Sequence, residues 1–125
     1  MAVDCLLPDS YSAAIKAENL QALAGLPGVE CRTVDLRTDD LAAVVAGAEA
    51  VVNEAAMPGL MKSWTDFDVY VGCNLLAVER LLAAVERAGV GRFVQISTSS
   101  VYGRFAVGDE SLPTEPFSPY GVSKL

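Results

Sequence analysis

The chain has 125 residues, 52% of them hydrophobic and 20% charged, and its 16 acidic against 9 basic residues leave a net charge of −7. That composition describes one core-forming domain rather than a disordered chain, and an acidic balance without a basic cluster excludes the electrostatic footprint of a nucleic-acid binder. Histidine is absent, which removes histidine-based triads and the commonest zinc ligand, so no metal site is expected.

The first expected element is a strand over residues 2–7, AVDCLL. A helix over 12–24 follows, and Gly25-Leu26-Pro27-Gly28 stops it with residues that cannot continue one. The second strand, VECRTV, covers 29–34. Thr38 then reads as the N-cap of a helix over 39–46, whose two leading acids suit the helix dipole and which Gly47 ends. The third strand, AVVN, covers 50–53. The longest helix is predicted over 66–88, where Val71, Leu75, Val78, Leu82 and Val85 recur at spacings of four and three, a stripe expected to face the sheet. Gly89 and Gly91 close it before the fourth strand, RFVQI, over 92–96. A serine-rich stretch and an irregular segment over 104–118 follow, and the latter is too long to be an idle connection.

Short β-rich runs alternating with helical segments mark an α/β fold, a parallel sheet covered by helices. No repeat, low-complexity tract or linker interrupts it, so residues 1–125 read as one unit without an internal domain boundary. Cys5, Cys31 and Cys73 are odd in number and lack a C-x-x-C pair, which fits the reducing cytoplasm and small apolar packing roles. No leader pattern and no apolar run of about 18 residues is present, so neither export nor a membrane partner is expected.

Ligands of open parallel sheets bind outside the carboxyl ends of the strands. There the chain has Asp4 after the first strand, Asp35 after the second, Asn53 and Glu54 at the third, and Ser97 to Ser100 after the fourth. Each alone reads as a turn or cap residue; together they favour a site. At the end of the chain, Tyr120 and Lys124 stand four apart, the spacing that puts a phenol and an ammonium on one helix face. A neighbouring cation favours a phenolate, which makes such a tyrosine a candidate general acid or base.

The strongest constellation is QISTSSVYG, residues 95–103, followed by SPYGVSK, residues 118–124. In this order and spacing the two motifs resemble the extended short-chain dehydrogenase/reductase family, the NAD-dependent epimerases and dehydratases of nucleotide sugars. VDCLLPDSYSAAIKAENL, VDL at 34–36, NEAAMPG at 53–59 and Asn74 in GCNLLAVERLL extend the likeness over nearly the whole chain. The opening is most similar to the UDP-glucuronate and UDP-glucose 4-epimerase type.

The resemblance implies a Rossmann-like doubly wound parallel sheet and NAD as cofactor. It makes Tyr120 the acid/base toward a substrate hydroxyl and Lys124 the partner of the phenolate and of the nicotinamide ribose. Thr98 becomes the hydrogen-bond donor to the reacting oxygen. Asp4 would hold the adenosine ribose and disfavour a 2′-phosphate, hence NAD over NADP. Asp35 and Leu36 would flank the adenine, Ala55 and Ala56 would let the cofactor pass close to the backbone, and Asn74 would act as a hydrogen-bond hub.

The chain departs from the family in several places. The glycine-rich fingerprint, with its strand and helix, should precede Ala2, and Gly89-Val90-Gly91 cannot replace it because it precedes a strand. Glu54 stands where the family has a leucine, and is either turned toward the crevice or solvated. Ser99-Ser100 replace the acidic pair of sugar 4,6-dehydratases, which argues for an epimerase.

The resemblance therefore predicts an internal part of a protein of roughly 300 residues. The absent strand would lie between those beginning at Ala2 and Ala50, the sugar-binding residues would lie beyond Leu125, and the full-length form would be a homodimer. The part alone would bind NAD weakly or not at all and show no turnover. The alternatives are a simple reductase or dehydrogenase of the same family, or a cofactor-sensing protein without catalysis.

Overall fold

The structure, a computed structural model, describes residues 1–8 and 11–125; Asp9 and Ser10, within the opening resemblance, lie outside them. Four short strands carry the site: β1 (Ala2–Asp4), β2 (Cys31–Thr33), β3 (Ala50–Asn53) and β4 (Arg92–Gln95). They form two parallel pairs. In β1·β2, Ala2 stands opposite Cys31 and Asp4 opposite Thr33; in β3·β4, Ala50 stands opposite Arg92 and Asn53 opposite Gln95. Among the described residues no strand joins the pairs, and an open cleft between β1 and β3 is lined by Val3, Val44, Val51 and Leu81.

The parallel alternation matches the predicted order, with shorter strands. β1 ends at Asp4 rather than residue 7 because the Asp4 carboxylate accepts the Leu6 N–H at 2.6 Å and turns the chain, with Leu6 in the left-handed region at φ 57°. Residue 29 belongs to a turn, its N–H donating to the Leu26 carbonyl. Ile96 still donates to the Asn53 carbonyl, one step past β4.

Helix α1 (Ala13–Ala24) starts as expected, with the Ser12 hydroxyl accepting the Ala14 N–H. Helix α2 is only Ala42–Val45. Its opening amide donates to the Asp40 carboxylate, so Asp40 supplies the capping bond expected of Thr38; Asp39 turns back to accept the Asp35 N–H. The long helix is continuous but not uniform: α3 (Phe67–Val71) passes through a wide π turn (Gly72–Leu76) into α4 (Ala77–Ala88), which ends at left-handed Gly89.

The face that this helix buries differs from the predicted stripe by one residue. Tyr70, Asn74, Ala77, Leu81 and Ala84 are buried, whereas Leu75 and Leu82 are 45% and 43% exposed; of the expected stripe only Val85 is buried. Both stripes repeat at spacings of four and three. The buried stripe has small side chains at 77 and 84, so the less hydrophobic of the two is the one that packs. Leu81, Ala84 and Val85 join Val34, Leu41 and Val45 in the main core, with Val3, Val51 and Phe93 against them.

Beyond β4 a tight segment (Ser99–Phe105) and a final helix α5 (Pro119–Ser123) complete the fold. Among the described residues no helix is long and apolar enough to cross a membrane.

Candidate active site

The carboxyl ends of β1, β2 and β3 converge on a cavity of about 210 Å³ bordered by Asp4, Asp35, Leu36, Ala55 and Ala56. Five of the residues predicted to bind a cofactor thus meet in one place. The Asp4 carboxylate, tied to the Leu6 amide, lies 3.8 Å from Lys16 Nζ, whose stem is nearly buried against it. Asp35 receives a forked bond from Arg37, with Arg37 Nη2 at 2.7 Å from Asp35 Oδ2. That bond holds the Asp35 carboxyl below the usual aspartate range and keeps Arg37 cationic.

The loop after β2 is braced from beneath. Arg80 of α4 donates through Nε to the Leu36 carbonyl at 2.9 Å and through Nη2 to the Asp39 carbonyl. Asn53 is buried and donates to the Gln95 side chain at 2.8 Å, pairing β3 with β4 at their ends. Glu54 is exposed and borders the same cavity, so it is both turned to the crevice and solvated.

Tyr120 and Lys124 belong to the end of β4 instead. Ser118 caps α5 by accepting the Gly121 N–H at 3.0 Å, and Pro119 fills the first turn, where its missing N–H costs nothing. Helix α5 ends at Ser123, and Lys124 is its C-cap. The Lys124 ammonium donates to the Ile96 carbonyl at 2.6 Å, and partial burial pulls its pKa below the usual lysine value. The Ser97 hydroxyl donates to the Lys124 carbonyl, a second tie between β4 and α5. Thr98 begins the tight segment, its Oγ1 accepting the Ser100 N–H at 3.3 Å.

Two glycines make this packing possible. A Cβ on Gly121 would stand 2.7 Å from the Ser100 carbonyl oxygen, so α5 lies directly on the 98–105 backbone. Gly103 has φ 77°, and a Cβ there would overlap the Glu115 carbonyl oxygen. The Val-Tyr-Gly and Tyr-Gly-Val-Ser-Lys motifs therefore encode a close backbone approach as well as side-chain chemistry.

Asn74 is buried between these two regions. Its Oδ1 accepts the Met57 N–H at 2.7 Å, and its Nδ2 donates to the Met57 carbonyl and to Ser123 Oγ. It therefore contacts the loop after β3 and α5 together, and it does not border the cavity of Asp4 and Asp35.

Sequence reading missed Lys16 and Arg37, which border that cavity, and Tyr70 and Ser123, which surround Asn74 and Tyr120. Arg37 was within reach, two residues past Asp35, and Tyr70 precedes Asn74 by the same four residues that separate Tyr120 from Lys124. Nothing local marks Lys16, because its meeting with Asp4 depends on α1 folding back over β1. Among the described residues no cluster of three or more histidine, cysteine, aspartate or glutamate side chains could hold a metal ion.

A model of the family described as NAD dependent epimerase/dehydratase family matches residues 3–125. A protein of Bacillus subtilis described as an uncharacterised UDP-glucose epimerase is 36% identical over 124 residues, which cover 98% of this chain and 39% of that protein. A dTDP-glucose 4,6-dehydratase of Streptomyces griseus is 36% identical over 118 residues, covering 93% of this chain and 36% of the relative. Among solved structures, UDP-glucuronic acid 4-epimerase from Bacillus cereus in complex with UDP-glucuronic acid and NAD superposes with a TM-score of 0.88 at 34% identity, over 98% of this chain and 39% of that one. The chain spans about two fifths of the length of these relatives.

Proposed function

Since the chain belongs to the NAD-dependent epimerase/dehydratase family, we propose that it supplies the cofactor cleft and the acid/base group of a nucleotide-sugar epimerase-type oxidoreductase. The observation that carries this reading is the separation of two polar groups at the carboxyl ends of the parallel strands: Asp4, Asp35, Leu36, Ala55 and Ala56 around one cavity, and Tyr120, Lys124 and Thr98 at the end of β4.

The cavity fits the adenosine half of a dinucleotide. Its volume of about 210 Å³ is below the roughly 300–1,000 Å³ of pockets that hold a whole ligand, so it suits part of one. Asp4 would accept from the adenosine ribose hydroxyls, Leu36 and Asp35 would border the adenine, and the alanines at 55 and 56 would leave the backbone open to the cofactor. A carboxylate at Asp4 disfavours a 2′-phosphate, which selects NAD. Bound there, NAD would supply the hydride acceptor and donor for a sugar carbon.

The chain's own residues move the proton. The Tyr120 oxygen, in its phenolate form, would take the proton of the substrate hydroxyl and later return it to the same oxygen. Lys124 has three N–H donors and uses one on the Ile96 carbonyl, leaving two for the phenol oxygen and the nicotinamide ribose. Thr98 Oγ1 accepts the Ser100 N–H and donates at 3.4 Å to Ser100 Oγ, a long bond that its O–H would exchange for one to the reacting oxygen. Ser99-Ser100 lack the carboxylates that an elimination of water would use, which favours epimerisation over dehydration.

The outer stripe of the long helix, with Leu75 and Leu82 exposed and Val78 half-buried between them, is the surface through which a second copy would pack, giving a homodimer. Cys5, Cys31 and Cys73, none of them disulfide-bonded, suit a cytoplasmic protein.

The deciding experiment is Tyr120→Phe in the intact enzyme. Turnover of UDP-sugar should fall about a hundredfold or more while NAD affinity stays nearly unchanged. An active phenylalanine variant removes the assignment.

A further inference from the structure

We infer that Tyr70 is a positioning residue which, with Asn74 one helical turn later, clamps the catalytic helix α5 to the loop at 57–59 and so sets where the Tyr120 phenol stands. The inference rests on the reading of Tyr120 given above. Tyr70 and Asn74 are both buried on the same face of the long helix, and each reaches the same two partners.

On the loop side, the Tyr70 hydroxyl lies 2.9 Å from both the Pro58 and the Gly59 carbonyl oxygens, and Asn74 holds both backbone groups of Met57. On the α5 side, the Tyr70 ring meets the Tyr120 ring edge-on, with centroids 6.1 Å apart and planes at 71°. Asn74 meets α5 through Ser123, whose Oγ receives the amide at 2.8 Å and donates to the Tyr120 carbonyl at 2.8 Å. Asn74 thus fixes the backbone of Tyr120, and Tyr70 fixes its ring.

Tyr70 cannot exchange protons with a substrate itself. Its single O–H is committed to two carbonyls, it is fully buried, and burial raises its pKa. Its effect on the reaction passes through the position of Tyr120. The loop it holds continues directly from Ala55 and Ala56 at the cofactor cavity, so the clamp links cofactor position to phenol position. The edge-to-face geometry restrains the Tyr120 ring as well as burying it. That restraint bears on the reaction because a displacement of about 1 Å at a reacting group costs roughly a hundredfold in rate.

The two contacts of Tyr70 can be cut separately. Tyr70→Phe keeps the ring and loses the loop anchor; Tyr70→Met keeps apolar volume and loses both. In the intact enzyme, Tyr70→Phe should hold kcat within about threefold and raise the KM for NAD several-fold. Tyr70→Met should lower kcat about tenfold or more. Amide hydrogen exchange over residues 120–123 should quicken in Tyr70→Met and stay unchanged in Tyr70→Phe.

A purely architectural tyrosine would instead lower kcat in both variants in step with their loss of thermal stability, and that result overturns the inference. A fall in kcat for Tyr70→Phe overturns it alone, even if Tyr70→Met does not fold. Tyr120→Phe, measured in parallel, separates the two levels. If it stays active, the reading of Tyr120 fails and the positioning role with it. If it is inactive while the Tyr70 variants show no split between kcat and KM, only the positioning role fails.

Discussion

Replacing Gly121 with alanine tests whether α5 is seated on the backbone of the 98–105 segment. Gly121 is buried, and a Cβ there would lie 2.7 Å from the Ser100 carbonyl oxygen and 3.1 Å from Pro116 Cβ. Reaching an ordinary contact distance requires α5 to retreat by about 0.7 Å or more. Overpacking of this kind costs about 1–3 kcal/mol, and the better helix propensity of alanine returns up to about 1 kcal/mol. A net loss near 1 kcal/mol lowers the melting temperature by about 4 °C for a domain of this size. Because Tyr120 and Lys124 flank the displaced residue, turnover should drop about tenfold.

Gly25→Ala is the matched control. Gly25 has φ −75°, and its Cβ would meet the Ala22 and Gln21 carbonyl oxygens at 3.4 and 3.9 Å, ordinary contacts. There the same substitution should stabilise by about 0.4–1 kcal/mol through the unfolded chain. Differential scanning calorimetry of both variants reads the contrast. Gly121→Ala melting at or above the parent temperature with full activity would refute the close seating of α5.

Asp4→Asn should weaken NAD binding roughly tenfold, through loss of charged hydrogen bonds to the ribose, and narrow the preference for NAD over NADP. Calorimetric titration with both dinucleotides measures it, and a parent protein that already prefers NADP would show that Asp4 is not the ribose acid. Asp35, whose folded pKa lies below 3.8 because of Arg37, contributes stability that is present above 3.8 and lost as pH falls through its folded value. The melting difference between the parent and Asp35→Asn should therefore be full near neutral pH and shrink in acid; a difference constant down to about pH 2 would contradict the pairing. Replacing Leu75 and Leu82 together by serine should shift a dimer toward monomer in sedimentation, whereas an unchanged assembly would place the interface elsewhere.

The elements of the candidate site were legible because they are written in short motifs whose residues are neighbours in sequence. Thr98 and Gly103 lie in one tract, and Ser118, Tyr120, Gly121 and Lys124 in another. Helix capping and close backbone approach then act locally on each. Asp4, Asp35 and Glu54 were found by a topological rule, that parallel strands present their carboxyl ends on one edge, and this rule needs only the strand order. Lys16, Arg80 and Tyr70 escaped because their roles are set by distant partners. Arg80 reaches carbonyls 41 and 44 residues away in sequence, and Tyr70 reaches Pro58 and Tyr120 from opposite sides.

The predicted helix face shows where hydrophobic periodicity alone misleads. A helix with two adjoining apolar stripes offers two candidate faces, and the greasier one, through Leu75, Val78 and Leu82, is the natural choice. The structure packs the other, which carries the small residues Ala77 and Ala84 and, with Leu81, is the buried side of α4. Polar Asn74 lowers the hydrophobicity of that stripe further. It is nevertheless buried there with three hydrogen bonds from its side chain, so the cost of burying an amide is met by partners rather than avoided. The larger side chains are thereby left outward, and a helix that spends alanines on its own sheet and leucines on its surface has the composition of one that packs on both sides. Serine at 75 and 82 should then leave the fold of the protomer intact, since neither leucine belongs to its buried core. Unfolding of that double variant in parallel with loss of assembly would mean that the outer stripe supports the protomer itself.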